Sequence, residues 1–417
     1  LVDASVGKRV MGIPLPGGAA GLLIPDVGCP MRCSFCSTSH KFGGRFVRYL
    51  STAEDILAVA NAHADAGKDE LFVMSENFSL DTRRALELLR LMEEQRRPHK
   101  WSVFSSANGL IKLGVENIVK LGYSFVWIGL EESSGTAFRK SREIDLRELV
   151  AGLQAHGVEV LGSTILGFEH HREADLDREV AHAISFGCVY NQFMLYMPIP
   201  GTELHAQMKR EGKLRADFPY PDMHGQVRQN WHHAHLSDEV LERRLDLAFQ
   251  QDFHELGPSL YRMMQVHWDG YRKTADWDHE LVQMRRAWMK RMFVAYIPFL
   301  SAMERDLARA SHPVADRVRA LRRALIGEVG LRGRLAGWVG GPVASAALRL
   351  EKRRHARAQE TRRAEQPKCT LTHYGTFTRK RGKGVPKPER GRASVPISRA
   401  VGVEREAHEV VEAPVGP

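Results

Sequence analysis

Between residues 20 and 205, short apolar runs alternate with longer amphipathic stretches. The apolar runs are 21–25, 70–74, 100–105, 125–130, 159–166 and 192–197. They are rich in Val, Ile, Leu and Phe, the composition of strands buried on both faces. The stretches between them carry helix-start signals. Thr52 precedes Ala-Glu-Asp-Ile-Leu, and Leu80-Asp81-Thr82 precedes Arg-Arg-Ala-Leu-Glu-Leu-Leu. Strands separated by helical crossovers pair in parallel. The pattern therefore predicts an α/β protein whose right-handed crossovers curl one parallel sheet into a partial (β/α)6 barrel.

In such a barrel the C-terminal strand ends share one face, where sites are built. The ends here are unusually polar. The second run ends in Ser75-Glu76-Asn77-Phe78, and the third in Ser105-Ser106 with Asn108 close behind. The fourth ends in Glu131-Glu132-Ser133-Ser134-Gly135. The fifth contains Thr164 and ends in Gly167-Phe168-Glu169, and the sixth ends in Pro198-Ile199-Pro200-Gly201-Thr202. The first run leads into Cys29-Pro30-Met31-Arg32-Cys33-Ser34-Phe35-Cys36. Five cysteines in all, three of them within eight residues, make no disulfide framework and suit a reducing compartment. Iron–sulfur cubes normally take four thiolates. Three together leave one iron open, and neither Cys188 nor Cys369 is an obvious fourth. The alternative is a zinc site completed by His40, within a zinc-dependent nucleic-acid-binding module.

C-x3-C-x2-C with an aromatic between the last two cysteines, after the first strand of a βα array, resembles the radical SAM signature. The resemblance implies a [4Fe–4S] cluster on Cys29, Cys33 and Cys36. It implies that the open iron binds S-adenosylmethionine and that reductive cleavage yields a 5′-deoxyadenosyl radical. Phe35 then stands near the adenine. Ser75-Glu76-Asn77-Phe78 matches an acidic–Asn–Phe stretch whose polar groups meet the methionine amino group, with Ser105 at the next strand end. Ile128-Gly129-Leu130-Glu131 resembles a Gly-Leu-Glu motif that brings Glu131 near the bound cofactor. The segment 162–167, with Thr164 and Gly167, resembles the one lining the adenine. The whole set is most similar to the cobalamin-dependent branch, many of whose members are methyltransferases with a cobalamin domain before the barrel. Only 28 residues precede Cys29, so that domain is expected to be absent or truncated. The first residue, Leu1, leaves open a longer gene product or an unusual start.

The resemblance implies an electron donor such as flavodoxin or ferredoxin. Two outcomes stay open for the radical. One is modification of a small-molecule or lipid-like substrate, with methyl transfer and cobalamin as one route. The other is cobalamin-independent cyclisation, rearrangement or oxidation. Cys188, Tyr190 and Tyr196, near the sixth strand, are candidates for a relay.

From about residue 236 the pattern is helical, starting at Leu236-Ser237-Asp238-Glu239 and breaking at Gly257-Pro258. Met263, Met264, Met284, Met289, Met292 and Met303 lie among Trp268, Trp288, Phe293 and Tyr296, a pattern of core packing before cavity wall. The stretch 335–348 around Trp338 is expected to break at Gly340-Gly341-Pro342 and to form a packed helix pair, with membrane-surface contact as the alternative. No run of about 18 apolar residues predicts a spanning helix, and no secretory signal is evident. Charge is uneven: residues 311–417 carry 23 Lys/Arg against 10 Asp/Glu, and residues 1–310 carry 37 against 40. The basic end reads as a disordered, solvated extension, or as a tail for anionic lipid, RNA or an acidic partner. The near-neutral body makes nucleic acid an unexpected substrate. The expected layout is a linker (1–19), the barrel (20–235), a helical region (236–358) and a basic tail (359–417), in a cytoplasmic protein with peripheral contact at the inner membrane face.

Overall fold

The structure, a computed structural model, describes residues 9–10, 13–14, 20–68, 70–130 and 146–360. Its centre is a six-stranded parallel sheet. The strands are β1 (Gly21–Leu23), β2 (Glu70–Val73), β3 (Lys100–Phe104), β4 (Tyr123–Gly129), β5 (Glu159–Leu166) and β6 (Tyr190–Leu195). They lie in sequence order from edge to edge, so the sheet is open between β1 and β6. Each apolar run became a strand. β4 and β6 start two residues early, at aromatic side chains: Tyr123 is wholly buried with its hydroxyl 3.2 Å from Ser79 Oγ.

Helices fill the crossovers. A loop with the short helix α1 (Ser37–Lys41) follows β1 and leads to α2 (Ala53–Asp65). α3 (Thr82–Glu94) joins β2 to β3, and α4 (Ala107–Leu113) with α5 (Val115–Leu121) joins β3 to β4. α6 (Leu146–Ala155) precedes β5, α7 (Glu173–Ser185) precedes β6, and α8 (Glu203–Arg210) follows it. The capping signals act as expected. Thr52 Oγ1 accepts from Asp55 N at 3.1 Å while Asp55 accepts from Thr52 N at 3.2 Å, and Asp81 accepts from Arg84 N at 3.2 Å.

Strand side chains alternate between two faces. Leu71, Val73, Trp101, Val103, Val126, Ile128 and Val160 face the helices and pack with Ile56, Leu57, Leu88, Leu110 and Leu153. Phe72, Phe104 and Trp127 lie on the other face, their rings 5.5 and 4.9 Å apart in turn.

The helical region begins with α9 (Asp238–Leu256), capped by Ser237 Oγ on Val240 N. Leu241, Leu245 and Ala248 pack on Leu176 and Val180 of α7 and on Phe193 and Leu195 of β6. Gly257, at φ +82°, and Pro258 end α9 as the sequence indicates. Then follow α10 (Ser259–Lys273), α11 (Glu280–Arg309) and α12 (Ala315–Val329). Their core contains Met264, Met289, Met303, Phe293 and Tyr296, with Met263, Met292, Trp268 and Trp288 at its edge.

One expectation is corrected. The stretch around Trp338 does not break at Gly340-Gly341-Pro342; α13 (Leu331–Glu360) runs through Pro342. The proline removes one backbone donor. Packing offsets this: a Cβ at Gly340 would stand 2.7 Å from Pro298 Cγ, so the glycine lets α13 come close to α11. No helix among the described residues is long and apolar enough to cross a membrane. Residues up to Lys352 form one compact unit, and a second starts at Arg353. The basic tail beyond Glu360, with Cys369, and the expected Glu131 site lie outside the described residues.

Candidate active site at the cysteine loop

The loop leaving β1 is closed at its base by a two-residue antiparallel ladder, Asp26–Val27 with Val47–Arg48. Inside it the backbone turns sharply at Gly28 (φ +86°) and Arg32 (φ +52°). A Cβ at Gly28 would stand 2.3 Å from Arg45 O, so glycine is required for space as well as for its dihedral. Ser39 holds the turn together. Its hydroxyl donates to Cys29 O at 2.6 Å and accepts from Arg32 N at 3.0 Å. Cys36 N donates to Cys33 O at 3.0 Å.

The loop is also tied to the sheet. Asp26 is wholly buried and receives Ser75 Oγ and Arg84 Nη2, each at 2.5 Å. This one carboxylate joins the loop to the end of β2 and to α3. Gly28 N donates to Glu76 Oε2 at 2.9 Å. Burial pushes the Glu76 carboxyl upward, with Asp26 adding repulsion.

A cavity of about 380 Å³ opens where these elements meet. Cys29, Cys33 and Cys36 line it with Phe35, Glu76, Asn77, Ser105, Ser106, Trp127 and Ser163. Asn77, 2% exposed, is its hub. Asn77 Nδ2 lies 3.7 Å from Cys29 Sγ as donor, and its Oδ1 accepts from Ser106 N (2.9 Å), Ser106 Oγ (3.1 Å) and Ser105 Oγ (3.4 Å). One side chain thus orients the first cysteine and the third strand end together. Asn77→Ala is expected to lower stability by about 1–3 kcal/mol, the cost of stranding buried donors. Denaturant unfolding of the iron-free protein measures it.

The three thiols fit a thiolate-binding iron centre as a donor set. All are free, Cys29 is buried, and Cys33 and Cys36 are half-buried at the cavity wall. Burial pushes the Cys36 thiol up, and the neighbouring Cys33 and Cys29 add repulsion. A cationic centre would remove both penalties. Among the described residues no three His, Cys, Asp or Glu side chains converge on a single ion. A cube binds each thiolate to a different iron, so it does not need such convergence. His40, the fourth ligand in the zinc alternative, has Nε2 3.2 Å from Cys33 O.

Residues 23–182 match the Radical SAM superfamily. The matched stretch runs from β1 into α7 and so takes in five of the six strands. An uncharacterized methyltransferase of Pyrococcus horikoshii is 26% identical over 191 residues, covering 44% of this chain and 41% of that protein. The bacteriochlorophyllide d C-12(1)-methyltransferase of Chlorobaculum tepidum is 25% identical over 194 residues, 45% of this chain and 42% of that one. The chain thus spans about two fifths of the length of these relatives. Among solved structures, the radical S-adenosylmethionine methyltransferase TsrM from Kitasatospora setae, with cobalamin and [4Fe–4S] cluster bound, aligns at 16% identity and a TM-score of 0.48. That alignment covers 69% of this chain and 66% of that one.

Within the matched stretch, two of the expected site residues lie away from the cavity. Thr164 faces away from the cavity. It is 1% exposed in the same pleat as Leu166, opposite Phe193, and its Oγ1 has no hydrogen-bond partner among the described residues. Ser163, one residue earlier, lines the cavity instead, with Oγ donating to Gln192 Oε1 at 3.1 Å. The alternation of β5 would have found it: Glu159, Leu161, Ser163 and Ile165 share one face. Gly167 is not at the cavity either. Its φ of +78° turns the chain out of β5, and its carbonyl accepts from Gln229 Nε2 at 3.2 Å. Sequence reasoning also missed Phe104 and Trp127, which form an aromatic wall on the cavity face. The relay candidates do not line the cavity. Cys188 is wholly buried, its thiol pushed up to about 12 by burial; Tyr190 donates to Glu159 Oε2 at 3.0 Å; Tyr196 packs on Phe168. Met284 and Trp288 line a separate cavity of about 350 Å³ by the starts of β3 and β4.

Gly28→Ala tests the turn. Iron bound after anaerobic reconstitution is expected to fall several-fold, because a side chain at that φ displaces Arg45 or the loop.

Proposed function

We propose that Cys29, Cys33 and Cys36 hold a [4Fe–4S] cluster with one open iron. S-adenosylmethionine binds beside it in the cavity, and the enzyme methylates a small-molecule or lipid-like substrate. One observation carries the reading. A single cavity gathers three thiols, a half-buried carboxylate, a buried amide and the hydroxyls of Ser105, Ser106 and Ser163. Bound there, cluster and cofactor would supply the one-electron chemistry that takes hydrogen from an unactivated carbon.

The chain's own residues have distinct parts in this. Glu76 offers negative charge toward the ammonium of the methionine moiety. Asn77 holds Cys29 and the β3 end in fixed relation, so the cluster and the cofactor site share one frame. Phe35 and Trp127 present aromatic faces suited to a purine. Met74, Phe104 and Ala107 keep the wall apolar and water out of reach of a reactive carbon.

Methyl transfer is supported by the names of the relatives. Among the described residues no second parallel sheet stands beside the barrel to seat a cobalamin. Adding cobalamin to the purified protein and recording its optical spectrum tests that cofactor directly. An electron donor such as flavodoxin or ferredoxin would reduce the cluster.

The deciding assay uses anaerobically reconstituted protein, a low-potential reductant and S-adenosylmethionine. It is expected to make 5′-deoxyadenosine, and S-adenosylhomocysteine once a substrate is present. Protein that carries iron and sulfide yet makes no 5′-deoxyadenosine overturns the radical reading. 5′-Deoxyadenosine with a modified but unmethylated product overturns the methyl assignment alone.

A further inference from the structure

α13 has two unlike faces. On one, glycines meet α11: a Cβ at Gly337 would stand 3.1 Å from Ile297 Cγ2, and one at Gly341 3.3 Å from Ser301 Cβ. Ala344 on the same side is buried. The opposite face is apolar where a surface helix is ordinarily polar. Leu331, Leu335, Trp338, Val339, Val343 and Leu350 are each between 50% and 79% exposed. At about 100° per residue they fall on one arc, together with Pro342 and Ala346. The stretch 335–346 is about 18 Å long at 1.5 Å per residue. Trp338, at 79%, is the most exposed large apolar side chain among the described residues.

Cations bracket the 335–346 stretch of this arc along the helix axis. Arg332 and Arg334 precede it and Arg349 follows, all exposed and without an ion pair among the described residues. Beyond Glu360 the sequence carries 12 more Lys/Arg against 6 Asp/Glu. A contiguous exposed apolar patch of this kind marks a contact surface. Its charged ends favour an anionic occupant, and two copies of so basic a segment would repel each other. Leu, Val and Trp on one face with Arg at the ends is the composition of helices that lie in a bilayer interface. There Trp sits at headgroup depth and Arg reaches lipid phosphates.

We propose that the outer face of α13 docks flat on an anionic lipid surface, burying the Leu335–Trp338–Val339–Val343 arc with Arg332, Arg334 and Arg349 on headgroups. The surface is separate from the cysteine cavity and stands whether or not the methyl assignment does.

Co-sedimentation of the full-length holoenzyme with vesicles tests it. Vesicles of phosphatidylcholine with about one third phosphatidylglycerol are expected to bind at least about tenfold more protein than phosphatidylcholine alone, with the difference shrinking as salt rises. Binding should shift tryptophan emission to the blue, and Trp338→Phe should remove most of that shift. The double variant Val339→Glu/Val343→Glu should lose vesicle binding at least tenfold while its 5′-deoxyadenosine formation stays unchanged. Arg332→Gln/Arg349→Gln should narrow the preference for anionic vesicles. No binding to either vesicle, or equal binding to both, overturns the proposal. So does a dimer, seen by light scattering without lipid, that Val343→Glu dissociates, because a second copy would then cover the arc.

Discussion

Cys33→Ala is expected to bring bound iron and 5′-deoxyadenosine formation to background together. Cys33 is half-exposed at the cavity wall, and its backbone carbonyl, not its side chain, receives Cys36 N. Removing the thiol therefore leaves the loop's hydrogen bonds in place and takes away one of three thiolates. A cube held at two corners is under-ligated. Cys188→Ala is the matched control. That thiol is buried in the outer core beside Gly162, away from the cavity, so its loss should lower stability and spare the iron. A Cys33→Ala protein that still binds a full cluster and still cleaves the cofactor sinks the assignment of this loop. Stoichiometric zinc without iron in the wild-type protein, purified anaerobically, would sink it too.

Arg84→Met should cost about 3–5 kcal/mol in denaturant unfolding of the iron-free protein. Asp26 is wholly buried, Arg84 is 7% exposed, and their contact is 2.5 Å. Taking away the cation leaves a carboxylate in the interior with Ser75 as its remaining partner and no countercharge. Replacing both partners is a different experiment. Asp26→Leu/Arg84→Met removes the stranded charge and should recover much of the loss, since a buried pair is often little better than apolar side chains of similar volume. Iron loading should follow stability in the single variant, because Asp26 lies three residues before Cys29 and fixes the loop to β2 and α3. An Arg84→Met loss below about 1 kcal/mol would mean that the interior there is wetter than the packing implies.

The sheet was legible because both of its signals are local. Each strand is an apolar run a few residues long, and the capping residues Thr52, Asp81 and Ser237 sit next to the helices they start. The three cysteines were legible for the same reason. The departures have a different origin. Thr164 and Ser163 are neighbours in sequence and face opposite ways, and motif resemblance does not carry the phase of the pleat. Gly167 reads as a cofactor glycine until Gln229, 62 residues later, is seen on its carbonyl. The Asp26–Arg84 pair spans 58 residues, and nothing local to either side chain announces the other. α13 departs from its local signals because the proline and glycines that break a solvated helix are here taken up by the surface of α11.

The strand order has a consequence for synthesis. Each strand pairs with the one made just before it, so the sheet can grow from β1 as the chain leaves the ribosome. All three cysteines emerge with the first strand, whereas Ser163 on the far wall of their cavity arrives 130 residues after Cys33. Until then the cavity that the three thiols line lacks its β5 wall. On the proposed function, iron delivered before β5 has docked would meet an unfinished vessel.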